Sequence, residues 1–248
     1  MDNKEFHQLG GSVEDSLAGK VQLDFKRLIQ EAWMLTGKTK GTFFQGAMLL
    51  MSLSILLILL LQNVLAIDDW TVASPKHRLL LQILWTMVTA PFFAALLMSG
   101  ICHSVGEKLA FSTVLKRVLG SAFVVLVALL VSALVDLGFA LFILPGIYLA
   151  MATGFSMMLY IEKRLVPSQA IVQSLKVYNR YWMPLSMFYI AAFVLFMMGL
   201  FTFGFAYIWL IPMYFNLKGL LYRELFGVRV KLVNAAQREA NGDSVFHA

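Results

Sequence analysis

Four stretches of this 248-residue chain are almost without charge. Gly41–Ile67, Leu79–Gly106, Val118–Ile161 and Tyr181–Leu217 contain one acidic or basic side chain between them, Asp136. About 20 apolar helical residues cross the ~30 Å hydrocarbon layer of a bilayer. The first two stretches therefore hold one membrane helix each, and the third and fourth are long enough for two each, folded as tight hairpins. Runs such as MLLMSLSILLILLL are unbroken where barrel strands would alternate with period two, which selects helices. Composition agrees. The chain is 60% hydrophobic and 14% charged, against roughly 45–50% and about 25% in soluble domains, and a soluble core of this size cannot hide that much apolar surface.

The predicted fold is all-α and polytopic, with six transmembrane helices as three hairpins, each preceded by a cytoplasmic amphipathic helix. The spans lie near 43–67, 79–102, 119–138, 141–161, 183–203 and 205–224. Residues 1–42 form a cytoplasmic N-terminal segment, 43–226 the membrane domain and 227–248 a polar cytoplasmic tail. Of the 20 Lys and Arg residues, only Lys76 and Arg78 fall in the connections on one side. The positive-inside rule then places both termini in the cytoplasm. The first apolar run begins after residue 40, and Asp2, Glu5, Glu14 and Asp15 oppose a basic leader. The first span is therefore expected to serve as an uncleaved targeting signal.

The amphipathic segments read FKRLIQEAWMLTGKTKG (25–41), FSTVLKRVLG (111–120) and SQAIVQSLKVYNR (168–180). In the last, Ile171, Leu175 and Tyr178 share one helical face, and Pro167 suits a first turn, where its missing N–H has no intrahelical partner. Such helices should lie in the cytoplasmic interface with Lys26, Arg27, Lys116, Arg117, Lys176 and Arg180 among anionic phospholipid headgroups. The second helix of each hairpin carries one proline: Pro91, Pro145 and Pro212. Two readings stay open for these prolines. One is broken helices that expose carbonyls to a transport path; the other, given precedence, is kinks or first turns that shape packing. Ala95/Ser99 and Ala150/Gly154 are small-xxx-small pairs that let helices approach.

At LFILPGIYLAMATGFSMMLYIEKRLVPSQAIVQSLKVYNRYW (141–182) a Pro145-Gly146 turn opens a span that ends at Glu162-Lys163. A short amphipathic segment then leads to the next apolar hairpin. This arrangement resembles the YciC-like family of bacterial inner-membrane proteins and the membrane domain attached to some glycerophosphodiester phosphodiesterases. The resemblance covers about Phe25 to Phe226, with residue-level matches around Pro145-Gly146 and Gln173–Trp182. It implies six helices and a bacterial cytoplasmic (inner) membrane location. It supplies no catalytic residues, and no phosphodiesterase domain is present.

Motifs for chemistry are weak. AWMLTGKT (Ala32–Thr39) fits a loose phosphate-loop pattern, but Trp33, Met34 and Leu35 fill the loop and no strand precedes it, so a chance match is preferred. Asp136 lies about 26 Å along its span, near the outer interface. It reads first as a solvated helix-end residue and second as a coupling carboxylate neighboured by Gln62 and Asn63. One cysteine, Cys102, excludes an intrachain disulfide. The histidines do not cluster, His77 being outside and His7, His103 and His247 inside, so neither a metal site nor a cofactor is predicted. Dispersed cations without a recognisable module give no support for nucleic-acid binding.

The leading functional expectation is a non-enzymatic membrane protein that acts through lipid contacts, self-association into a homo-oligomer, or a membrane-protein partner. The alternative is a small transporter whose path runs between three proline-containing hairpins, with Asp136, Pro91, Pro145, Gly146 and Pro212 as its transport or packing positions.

Overall fold

The computed structural model describes residues 6–65, 74–107, 109–121 and 123–231. The protein is an all-α, multi-pass membrane protein with several long apolar helices. In chain order these are β1 (Phe6–Leu9), α1 (Val13–Ala18), α2 (Phe25–Leu65), α3 (Pro75–Ser104), α4 (Phe111–Leu119), α5 (Val124–Leu141), α6 (Ile143–Ala152), α7 (Ser156–Lys163), α8 (Pro167–Arg180), α9 (Trp182–Leu200), α10 (Tyr207–Phe226) and β2 (Val228–Lys231). The outer connection 66–73 and the tail beyond Lys231, with Arg238 and His247, lie outside the described residues, as do Lys108 and the side chain of His7.

Among the described residues, five helical segments, not six, are long and apolar enough to cross a membrane: Phe25–Val64, Lys76–Ser104, Val124–Leu141, Ile143–Lys163 and Trp182–Leu200. The sixth predicted span falls on α10, which carries Lys218, Arg223 and Glu224 and whose second half runs through protein, while Ile208 and Trp209 near its start are exposed. Its residues Phe215 to Tyr222 are all buried. More than two turns buried on every side require neighbours all round, and α2 and α3 are the chief ones. Gly219 makes the closest approach. A Cβ there would meet the Gly100 carbonyl oxygen at 2.2 Å, and a Cβ on Gly100 would meet that of Phe215 at 2.2 Å. Two glycines thus bring α3 and α10 into backbone contact, the usual route to tight packing where lipid removes the hydrophobic incentive.

Two further boundaries differ from the sequence reading. The first amphipathic segment and the first span are one helix of 41 residues, about 60 Å long. Gly37 and Gly41 do not break it, each costing only about 1 kcal/mol in a helix interior. The fourth span is divided at Thr153–Phe155, more than a turn after Pro145, which sits harmlessly in the first turn of α6. Ser174 of α8 repairs the division. Its Oγ accepts from the Phe155 N–H at 3.2 Å and donates to the Ala152 carbonyl at 2.6 Å.

The amphipathic helices are docked more deeply than expected. α8 starts at Pro167 as predicted but buries Ala170, Ser174, Val177 and Tyr178, leaving Ile171 and Leu175 only partly covered. α4 buries Phe111, Val114 and Val118. An antiparallel strand pair, absent from the sequence reading, joins the ends of the chain: Gln8 faces Arg229 and Leu9 faces Val228. The two ends therefore meet on one side of the helical body.

The α9–α10 hairpin is set low against α2. Its turn and the start of α10 lie against Phe44, Ala47, Met48 and Met51, about 21 Å short of Leu65 at the far end of α2. Phe201, Phe203 and Phe205 on this turn are 87%, 95% and 73% exposed. Every N–H from Phe201 to Tyr207 is hydrogen-bonded within the hairpin, that of Ala206 to Thr202 Oγ1 at 3.0 Å.

Candidate functional site

Charge buried in a membrane helix is the natural place to look for function, because it is costly to keep there. α10 carries three polar systems. The uppermost is centred on Asn216. His103 Nδ1 lies 3.2 Å from Asn216 Oδ1, and Asn216 Nδ2 donates to Thr39 Oγ1 at 3.0 Å and Thr36 Oγ1 at 3.4 Å. Both threonine hydroxyls donate onward to carbonyls of α2, each at 2.8 Å. A fully satisfied buried network of this kind fixes helix register. It also shows what Ala32–Thr39 does: the segment is helix, not a phosphate loop.

The second system closes the end of α10. The Arg223 guanidinium takes both oxygens of Glu31, at 2.8 and 3.0 Å, and bonds Glu224 Oε1 at 3.0 Å. Glu224 also pairs with Arg27 at 3.1 Å. Beside it, the buried Glu162 carboxylate accepts from Tyr222 Oη at 2.8 Å and from the Arg229 N–H at 3.2 Å. Lys163 lies 3.4 Å from that carboxylate and donates to the Gly227 carbonyl at 2.9 Å. These groups are committed to holding helices together.

The third system differs. Lys218 is 4% exposed, yet among the described residues no carboxylate pairs with it. Its Nζ donates to Tyr214 Oη at 3.2 Å and lies 5.4, 5.5 and 5.8 Å from the ring centres of Tyr214, Tyr189 and Phe155, within cation–π range. The Tyr189 hydroxyl is buried beside the ammonium; it forms no well-aligned hydrogen bond, but Lys218 is near enough to act as its donor. Gly154, in the helix break, makes room for that hydroxyl; a Cβ there would lie 2.0 Å from it. Lys218, Tyr214, Tyr189 and Gly154 line one end of a cavity of about 700 Å³ whose other walls are apolar apart from Ser132 and Thr153, among them Phe93, Ala128, Ile147, Met151 and Phe193.

The residues singled out from sequence fall elsewhere. Asp136 is exposed, accepts from Gln82 Nε2, and lies 3.4 Å from Ser132 Oγ; Gln62 and Asn63 are not its partners. The pair clasps the start of α3 to the end of α5. Pro91 and Pro212 lie inside continuous helices. Gly146 packs against the Phe139 ring. Among the cations, Lys26, Lys116 and Lys176 are exposed. Arg27 is tied to Glu224, Arg180 lies over Gly19 at the end of α1, and Arg117 lines a groove shared with Arg164. Cys102 is buried, and among the described residues no three of His, Cys, Asp or Glu come together as metal ligands. The Lys218 site was missed because cation counting treats each lysine as a surface group. The spacing Tyr214, Lys218, Tyr222, one turn apart on one helix face, was the available signal.

No family model, curated protein or solved structure matches this chain.

Proposed function

We propose that this is a non-enzymatic protein of the bacterial cytoplasmic membrane that acts through contact with membrane lipid, a role in keeping with the YciC-like resemblance. One observation carries the reading. The helical body presents a continuous apolar exterior, including Met48, Ile55, Leu59, Phe193 and Met198, with exposed Lys26, Lys116 and Lys176 at the ends of helices that lead into it. Apolar faces solvate acyl chains and the lysines attract anionic headgroups, each by about 1 kcal/mol. The test is lipid selection. Tryptophan quenching by brominated phosphatidylglycerol should exceed quenching by brominated phosphatidylcholine, and the preference should fall in the triple variant Lys26→Gln, Lys116→Gln, Lys176→Gln. Equal quenching by the two lipids sinks the reading.

Because β1 pairs with β2, the chain crosses an even number of times: six if α10 crosses together with the five candidate helices, four if the α9–α10 hairpin does not cross. The low set of the α9–α10 turn favours four crossings, α2, α3, α5 and α6–α7. The α9–α10 hairpin then enters from the cytoplasmic side and returns. Its uncharged tip and internally satisfied backbone are what hydrocarbon demands of a turn. The cytoplasmic placement of both termini follows from the lysine and arginine distribution.

A transporter is the second reading, favoured by the division of the fourth crossing beside a buried cation. Flux of a substrate in proteoliposomes, abolished by Lys218→Met, would support it.

A further inference from the structure

The cavity at Lys218 is built for a ligand that brings a negative charge and an aliphatic tail. At its closed end the polar atoms are hydrogen-bond donors in excess. The ammonium carries three N–H groups, of which one is used on Tyr214 Oη and a second can reach Tyr189 Oη, leaving at least one for a ligand. Neither the Tyr189 nor the Tyr214 hydroxyl hydrogen has an acceptor among the described residues. A buried cation with unfilled donors is unfavourable unless an anion joins it.

The rest of the cavity specifies the remainder of the ligand. From Gly154 to Ile147 the wall runs two helical turns, about 10 Å, towards the outer side, and its residues are apolar apart from Ser132 and Thr153. α5 and α9 flank the cavity without forming a packed pair, so it opens sideways between apolar helix faces that meet lipid. The volume of about 700 Å³ lies within the range of small-molecule sites. The Tyr214, Tyr189 and Phe155 rings, 5.4, 5.5 and 5.8 Å from Nζ, favour a compact head over a bulky glycerophosphate.

We propose that this cavity binds the carboxylate of a single-chain fatty acid, held by Lys218 Nζ with the Tyr189 and Tyr214 hydroxyls, its chain lying between α5 and α9. The inference deepens the lipid-contact reading, but its ligand enters the protein body instead of coating it. The head accepts charge-assisted hydrogen bonds that are stronger in the cavity than in water, and the methylenes contribute burial at about 0.8 kcal/mol each.

The experiment is native mass spectrometry and equilibrium binding of the delipidated, detergent-solubilised full chain with palmitate, hexadecanol and phosphatidylglycerol. One palmitate per chain is expected. Hexadecanol, of equal chain length without charge, should bind at least about 100-fold more weakly, and phosphatidylglycerol should not displace palmitate. Lys218→Met should lower palmitate affinity about 100-fold and Tyr189→Phe about 10-fold. Ala128→Phe fills the chain path while leaving Lys218 intact, and should also abolish binding. It therefore serves if Lys218→Met fails to fold. Hexadecanol binding as well as palmitate, palmitate retained by both Lys218→Met and Ala128→Phe, or displacement by phosphatidylglycerol would each overturn the assignment. Failure here with brominated phosphatidylglycerol still preferred removes the cavity ligand alone. Loss of that preference with palmitate still bound removes the surface reading instead.

Discussion

Arg223 on α10 grips Glu31 on α2 through both ends of its guanidinium, with hydrogen bonds of 2.8 and 3.0 Å. The two residues are 16% and 30% exposed at their side chains, so the fork is neither fully screened nor fully desolvated. It also anchors Ser104 of α3 through the backbone carbonyl. A single side chain thus joins the three helices at the centre of the fold.

Arg223→Lys keeps the charge but loses the planar fork. It is expected to lower stability by about 1–2 kcal/mol, while Arg223→Ala, which leaves Glu31 without this partner and Glu224 with Arg27 alone, should cost about 2–3 kcal/mol. Thermal unfolding in detergent checks both. A double-mutant cycle with Glu31→Ala should give a coupling near 1 kcal/mol, and additivity of the two substitutions would show that the fork contributes nothing.

The contact of Gly219 with Gly100 predicts intolerance of any side chain. Gly219→Ala must separate two backbones, since the atom it would strike is the Gly100 carbonyl oxygen at 2.2 Å, and overpacking of this sort costs about 1–3 kcal/mol. Gly37→Ala, on an exposed face with nothing within 4 Å, should instead be neutral or slightly stabilising. Melting temperatures of the two variants, measured side by side, separate packing from helix propensity.

Ser174 satisfies two backbone groups at the division between α6 and α7. Ser174→Ala leaves both the Phe155 N–H and the Ala152 carbonyl without this partner, at about 1–3 kcal/mol. Hydrogen exchange reports the loss directly. The Phe155 amide should exchange faster in the variant while amides in the middle of α3 are unchanged. Unaltered exchange at Phe155 would mean that the serine is not what holds the division.

The low-set hairpin makes a topological prediction. In a Cys102→Ala background, Gly204→Cys should resist a membrane-impermeant maleimide added from either side of the membrane, whereas Lys76→Cys should label from outside. Outside labelling at residue 204 would restore a six-crossing arrangement.

How much of this was legible depended on whether the signal was local. Pro167 opens α8 and Phe111 opens α4 at the predicted positions, because proline chemistry and amphipathic spacing act within a turn or two. The apolar runs gave membrane helices for the same reason. The role of α10 was not legible. Tyr207 to Leu217 is as apolar as a lipid-facing helix, and only the burial of Asn216 and Lys218 against α2, α3 and α9 reveals an interior position. The helix division after Ala152 was equally hidden, since its stabilising hydroxyl comes from Ser174. Asp136 drew attention as the one charge in the apolar stretches, yet the structure pairs it with Gln82 at the rim. Lys218, counted in advance among cytoplasmic cations, lies against the cavity.

The strand pair between Gln8–Leu9 and Val228–Arg229 has a consequence for biogenesis. β1 cannot complete its pairing until α10 and β2 have been made, since its partner strand follows α10. During synthesis the N-terminal strand must wait, unpaired, while every membrane helix is inserted. Joining of the strands then closes the loop that holds α1 to α10, and it carries the loop-closure cost of that span. A chain cut short within α10 would be left not merely smaller but unsealed, with Gly10 and Gly11 deprived of the helix end on which they rest.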